Sequence, residues 1–264
     1  GRNSARFREH GRIVEVPNAR LFATHFVTWV EGLGDLEAYP NRDALPYLAL
    51  YGIPEAETIY RGTLRNLGWC DVMQKLNALG YFSLDRRSDL AGKTCRQVLA
   101  ERIGRPDAPN LRAEVAAALN VSPASGVMQA IEWLGLLSDE PAPDQPTLLD
   151  LLADLMLARM AYRAGERDMV VLVHEFEAVY PAQGGARHER ITSTLLDFGV
   201  PGGDSAMART VGLPAAIAAR LLAAGQIALR GVHIPVHPQI YEPVLGEMEA
   251  LGIRPIERVS ANDA

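Results

Sequence analysis

The sequence predicts an α+β fold: a β-sheet domain interrupted by an all-helical subdomain. Three observations predict it. Short strand-like segments open the chain, residues 59–165 carry apolar residues at helical spacing, and the pattern switches to period two from Asp168 onward. At 264 residues there is room for one large domain or two small ones. The helical block then divides the sheet domain into 1–58 and 166–264, with 59–165 inserted.

The elements follow in order. Gly1-Arg-Asn-Ser-Ala-Arg-Phe-Arg-Glu-His10 reads as the end of a helix, with Arg2, Arg6, Arg8 and Arg12 on its solvated face and Gly11 at its C′ position. A helix end without a beginning points to a piece of a longer protein. Arg12 to Val16 alternates and predicts a short strand ending at Pro17. Leu21 to Val30 is apolar and β-branched, a second strand. Gly32-Leu-Gly34 is a turn, and Ala38 to Arg42 is extended. Within the helical block, Val72, Met73, Leu76 and Leu79 recur at helical spacing before Gly80, and Leu111 to Leu119 is Ala-rich. Ser122-Pro-Ala starts a helix that runs through Trp133. Glu140 to Pro146 is a loop, and Thr147 caps a long helix to Arg163. Asp168 to Tyr180 and His188 to Phe198 form a long β-hairpin around the turn Pro181-Ala-Gln-Gly-Gly185, placing His174 and His188 on facing strands. Ser205 to Ala224 is an Ala-rich helix, bent or restarted at Pro214. Ile234 to Val236 is extended, and Ile240 to Leu251 is the last helix.

Composition narrows the function. Hydrophobic content of 48% and charged content of 22% are ordinary for a globular protein. A net charge of −6 argues against nucleic acid as the main partner, since such binding runs on surplus Lys and Arg. No apolar run reaches the ~18 residues of a membrane span; the best stretch, Pro214 to Leu229, contains Arg220 and Gln226. Two cysteines without metal-type spacing, Cys70 and Cys95, fit a reducing, cytoplasmic compartment.

Common catalytic signatures are missing. Gly32-Leu-Gly34 runs into acidic residues rather than a dinucleotide fingerprint. Gly203-Asp-Ser205-Ala-Met207 lacks the last glycine of a nucleophile elbow, so Ser205 reads as a helix N-cap; the alternative is an anion held at that helix start. His233 and His237 are four apart, but Pro235 between them prevents a helix from presenting them as a zinc pair, so no metal site is expected.

One cluster remains. Tyr39-Pro-Asn-Arg-Asp43 is followed by Arg61-Gly-Thr-Leu-Arg65, giving Arg42, Arg61 and Arg65 in one short segment of an acidic chain. A guanidinium fork fits a carboxylate or phosphate two bonds at a time, so three forks suit a ligand with several anionic groups. If Gly62-Thr63 opens a helix, Arg61 and Arg65 project from a common side. The competing reading pairs these arginines with Asp43, Glu55 and Glu57.

At these residues the sequence resembles the C-terminal region of the saccharopine dehydrogenases that form glutamate. The motifs are Tyr39-Pro-Asn-Arg-Asp-Ala44, Ile53-Pro-Glu-Ala-Glu-Thr58, Arg61-Gly-Thr-Leu-Arg-Asn66, Glu166-Arg-Asp-Met-Val-Val171, Thr192-Ser-Thr-Leu195, and Gly202-Gly-Asp-Ser-Ala-Met-Ala208 running into Val211-Gly-Leu-Pro-Ala-Ala-Ile-Ala218. Asn3-Ser-Ala-Arg-Phe7 is similar to a helix end preceding that region. Ala44 and Asn66 stand where the family has Ser and an aromatic residue. The resemblance implies an enzyme with an N-terminal Rossmann domain holding NADP, absent here, and a substrate-binding, dimer-forming part with a helical insert, which this chain would be. It implies that saccharopine is interconverted with glutamate and aminoadipate semialdehyde, in lysine metabolism. It implies that Arg42, Thr63, Leu64 and Arg65 hold the substrate; Arg61 joins them by proximity. No proton donor can be named. The alternatives are a domain of a related carboxynorspermidine dehydrogenase-like enzyme, or a non-catalytic module for ligand binding or dimerisation through the long hairpin.

Overall fold

The chain opens on strands. β1 (Ala5–Glu9) pairs antiparallel with β2 (Arg12–Val16) through a tight turn whose two residues, His10 and Gly11, both have positive φ (47° and 76°). That is the turn chemistry of a two-residue hairpin, and it replaces the expected helix end. Ala5 and Phe7 are buried while Arg6 and Arg8 are not, so the true period is two, and the arginines are strand residues rather than a helix face. The computed structural model describes residues 4–182 and 185–261; the expected roles of Gly1–Asn3 and of Gln183 and Gly184 lie outside the described residues.

The fold is α+β, in two compact units, Gly1–Ala161 and Tyr162–Ala264. In the first unit, β3 (Phe26–Val30), β4 (Gly34–Pro40) and β5 (Gly62–Arg65) form an antiparallel sheet in that order. Only the second half of the expected Leu21–Val30 strand is extended; Leu21 and Phe22 turn inward and are buried. β5 lies where helix was expected. Gly62 explains why: a Cβ there would meet the Tyr39 carbonyl oxygen at 2.9 Å and the Tyr60 ring at 2.8 Å, so only glycine lets the two backbones approach.

A short helix, α1 (Pro46–Leu50), joins β4 to β5. After β5 come α2 (Trp69–Ala78), α3 (Cys95–Arg102), α4 (Leu111–Ala118), α5 (Gly126–Trp133) and α6 (Leu148–Met160). Their starts are chemically specified. Thr94 and Gln97 form a reciprocal capping box, Ser125 rather than Ser122 caps α5, and Thr147 accepts from the Asp150 amide. Leu76, Leu99, Met128, Ile131 and Leu151 are fully buried in one core that also takes in Phe22.

In the second unit, β6 (Met169–Ala182), β7 (Gly185–Phe198) and β8 (Ile256–Ala261) form an antiparallel sheet in sequence order. Register pairs His174 with Ser193 and His188 with Val179, so the two histidines do not face each other. α7 (Ala206–Ala223) runs through Pro214 as one helix, and α8 (Pro238–Ala250) packs beside it around Ile217, Leu221, Val244 and Met248. By length and composition alone α7 could cross a bilayer (18 residues, mean hydropathy 1.3). Its Ile217 and Leu221 instead belong to the core shared with α8. Ile234 to Val236 forms a turn closed by the Val236 amide donating to the Ile234 carbonyl, not an extended piece.

Candidate functional site

The β4–β5 ladder carries the expected site residues. Register sets Pro40 against Gly62, Tyr39 against Thr63, Ala38 against Leu64 and Glu37 against Arg65. Beyond Pro40 the strands stay in touch: the Asn41 amide donates to the Arg61 carbonyl (3.0 Å) and its side-chain Nδ2 donates to Thr63 Oγ1 (3.0 Å). Arg42, Arg61 and Thr63 are thus neighbours at one end of the ladder, with Leu64 and Arg65 following along β5. Gly62 and Thr63 open a strand, not a helix; its two-residue repeat sets Thr63 and Arg65 on one side, and Arg61 stands just before it.

Each arginine has a distinct environment. Arg42 has a left-handed backbone (φ 62°), unusual for a residue with a side chain, fixed by the Arg6 amide donating to its carbonyl at 2.9 Å. Its exposed guanidinium has no hydrogen bond or ion pair among the described residues. Arg61 Nη1 donates to the Tyr47 hydroxyl (3.1 Å), and its guanidinium lies 5.3 Å from that ring's centre. Arg65 Nη1 donates to the Leu64 carbonyl (2.7 Å), and its guanidinium lies 5.6 Å from the Trp69 ring centre. Both aromatic contacts orient a cation without neutralising it.

Of the nearby acids, Asp43 is engaged elsewhere. Asp43 accepts from Arg6 Nη1 at 3.2 Å. Arg8 Nη1 donates to the Pro54 and Ala56 carbonyls, fixing the segment that carries Glu55 and Glu57. Among the described residues, none of Arg42, Arg61 and Arg65 forms a salt bridge with an acid.

Glu37 was not anticipated. It is 5% exposed, and its two oxygens accept from the Gly68 amide (2.7 Å) and the Cys70 amide (2.8 Å) at the start of α2. Burial pushes its carboxyl up, but the amides of Cys70 and Gly68 outweigh that and hold it below the ordinary value. Burial, then the Glu37 carboxylate, pushes the Cys70 thiol up to about 12. No sequence motif announces Glu37; its only signal was an acid flanked by the apolar Leu36 and Ala38. Past β5 opens a mainly apolar cleft of about 770 Å³, lined by Leu67, Trp69, Lys75, Val127, Trp133 and Met160 among others.

Other expected sites resolve differently. The anion at the start of α7 is the chain's own: Asp168 accepts from the Ala206 and Met207 amides (2.7 and 2.9 Å), and Ser205 Oγ accepts from Ala208. Gly199 is needed there, since a Cβ would fall 2.1 Å from Asp168 Oδ1. The His233 and His237 rings do meet, 5.0 Å apart, through the turn that precedes α8, but no group of three metal-binding side chains exists among the described residues. Gly32-Leu-Gly34 joins β3 to β4 in a hairpin, so these glycines do not fit a dinucleotide.

The fold and the strand register define this chain as an α+β domain with its candidate site on the β4–β5 ladder. The family model described as the saccharopine dehydrogenase C-terminal domain matches residues 1–253, and the chain belongs to that family. It is 33% identical to saccharopine dehydrogenase (NADP+, L-glutamate-forming) of Pyricularia oryzae over 98% of this chain and 59% of that protein. It is 35% identical to the mitochondrial alpha-aminoadipic semialdehyde synthase of Bos taurus over 83% of this chain and 24% of that protein. Among solved structures it is similar to the apo, histidine-tagged saccharopine dehydrogenase (L-Glu forming) of Saccharomyces cerevisiae, with a TM-score of 0.86 and 32% identity over 98% of this chain and 59% of that one. The chain therefore spans about three fifths of the fungal relatives and a quarter of the bovine one.

Proposed function

We propose that this chain is the substrate-binding part of an NADP-linked, saccharopine dehydrogenase-like oxidoreductase. The reaction would take saccharopine, NADP and water to glutamate and aminoadipate semialdehyde. The observation that carries the reading is that Arg42, Arg61 and Arg65, carried on or beside the β4–β5 ladder, form no ion pair among the described residues in a chain of net charge −6. Saccharopine has three carboxylates and a secondary amine. In this reading Arg42 and Arg65 grip carboxylates, Arg61 adds a third fork, and Thr63 and Leu64 contribute the edge of β5. Their work is positioning: holding the adduct so that its reacting carbon is presented to the nicotinamide, which can lower a barrier by several kcal/mol without any acid or base. NADP is assigned to a part outside this chain; in support, the glycine turn weighed for it, Gly32-Leu-Gly34, closes the β3–β4 hairpin. The chain alone would then be inactive.

The same reading treats 1–58 and 166–264 as one domain, places the protein in the cytoplasm, and pairs two copies through the β6–β7–β8 sheet. The pairing is supported by apolar side chains left about half exposed on one face of that sheet, Leu172 (51%), Phe176 (49%) and Val259 (64%). Calorimetry tests the central claim. Saccharopine should bind, NADPH should not, and Arg42→Ala should weaken saccharopine ~10- to 100-fold, the worth of about 1.5–3 kcal/mol for a charge-assisted contact. Unchanged affinity in Arg42→Ala would remove Arg42 from the site, and tight NADPH binding would overturn the division of labour. For pairing, Val173→Pro should lower the mass seen by light scattering; an unchanged dimer would reject the sheet interface.

A further inference from the structure

We propose that Glu37 is a positioning residue for Arg65. The inference rests on the proposed role of Arg65 as a carboxylate clamp. Glu37 is the residue directly across the ladder from Arg65. By register it is the acid best placed to pair with that guanidinium, and it does not. Both of its oxygens are committed to backbone amides of the next element, Gly68 and Cys70, at 2.7 and 2.8 Å. His25 approaches it from a third side, Nε2 lying 4.0 Å from Oε1, while His25 Nδ1 is tied to the Phe22 carbonyl at 2.7 Å.

Two consequences follow from that geometry. First, the carboxylate across the ladder from Arg65 is neutralised locally by N–H dipoles, so it neither pairs with the cation nor draws it away from an incoming anion. Second, Glu37 fixes the first turn of α2 relative to β4. Gly68 is left-handed (φ 88°), the next residue is Trp69, and the Trp69 ring is the surface beside which the Arg65 guanidinium lies. A buried carboxylate taking two amide bonds is a short, rigid tether between the strand that carries Arg42 at its end and the helix that orients Arg65. The reach from Glu37 to Arg65 is therefore indirect: carboxylate to Gly68 and Cys70, then Trp69, then guanidinium.

Glu37→Gln keeps the shape but turns an NH2 group toward one of the two amides. Glu37→Asp keeps the charge but is one methylene too short to reach both, and it serves if the first variant does not fold. The test is a double-mutant cycle with saccharopine as the titrant on the 264-residue chain, together with 15N NMR of the free chain. We expect Glu37→Gln or Glu37→Asp to weaken binding about 5- to 10-fold in the wild-type background and not at all in the Arg65→Ala background. We also expect the Trp69 indole and Arg65 Nε–H signals to move in the free chain, whereas Thr147→Ala leaves them in place. Equal weakening in both backgrounds, or full affinity in a folded Glu37 variant, would overturn the proposal. Unmoved Trp69 and Arg65 signals would overturn it whatever the affinities do. If those signals move but Arg65→Ala itself binds saccharopine normally, the clamp reading of Arg65 fails and the tether remains.

Discussion

Leu76→Ala tests the core on which the candidate site stands. Leu76 lies on α2, is 0% exposed, and shares the buried face of that helix with Cys70 and Met73. The substitution removes three carbons, worth ~2.4 kcal/mol at about 0.8 kcal/mol each. A site packed on all sides cannot collapse fully, and the residual cavity adds ~1–2 kcal/mol, for a total of about 3–4 kcal/mol. All three tryptophans, Trp29, Trp69 and Trp133, lie in the first unit, so intrinsic fluorescence during urea unfolding reads that unit directly. With a slope of ~2 kcal/mol per molar, the midpoint should fall by roughly 1.5–2 M. A loss under about 1 kcal/mol at unchanged slope would mean that Leu76 is not enclosed, and that the packing described for the helical block is wrong.

Other outcomes follow from the same contacts. Thr147→Ala removes the acceptor for the Asp150 amide and should cost ~1 kcal/mol by the same fluorescence assay; no change would mean another group caps α6. The Met207 amide, opposed by burial and helped by the Ala206 amide, holds the Asp168 carboxyl below its ordinary value. Its stabilisation is full above the unfolded-state value near pH 4 and is lost as pH falls through the lower folded value, so acid unfolding monitored by circular dichroism should be less steep in Asp168→Asn than in wild type. Cys70 has the opposite sign: burial favours the neutral thiol, so its contribution holds below about pH 9 and fades as pH rises toward 12. At neutral pH a disulfide reagent should leave both Cys70 and Cys95 untouched until the chain unfolds, and fast labelling would contradict their burial. Gly62→Ala should weaken saccharopine binding by displacing β5 from Tyr39, visible as shifted amide signals for Thr63 and Leu64.

What could be read from the sequence was set by local chemistry. The helix cap at Thr147, the long period-two hairpin and the Ser205 cap each follow from residues within four positions of one another, and all three are found. The errors came where distant pairing overrode a local pattern. Ala5 and Phe7 are buried by β2, and β5 exists because Gly62 admits the Tyr39 backbone; neither partner is visible in a short window. β8 escaped notice because Ile256 and Val259 are exposed and give no clean alternation. The arginine cluster was legible as a cluster, from spacing and from the family motif. That its members lack acid partners was not legible, since Asp43, Glu55 and Glu57 sit in the same segment and only the fold sends Asp43 to Arg6 and ties the backbone of residues 54–56 to Arg8.

The absence of an acid partner on these three arginines, among the described residues, bears directly on function. An exposed Arg–carboxylate pair contributes only ~0–1 kcal/mol, so a chain with 32 acidic residues loses almost no stability by leaving three arginines unpaired. Pre-pairing them would instead oblige any anionic ligand to break those contacts first, taking the same energy from affinity at every site. Aromatic contacts to Tyr47 and Trp69 orient Arg61 and Arg65 while leaving their charge available, and Glu37 is held by amides directly across from Arg65. A surface selected only for solubility has no reason to keep its acids off these three cations. A site that must receive several carboxylates at once has that reason, and the cost of meeting it is small.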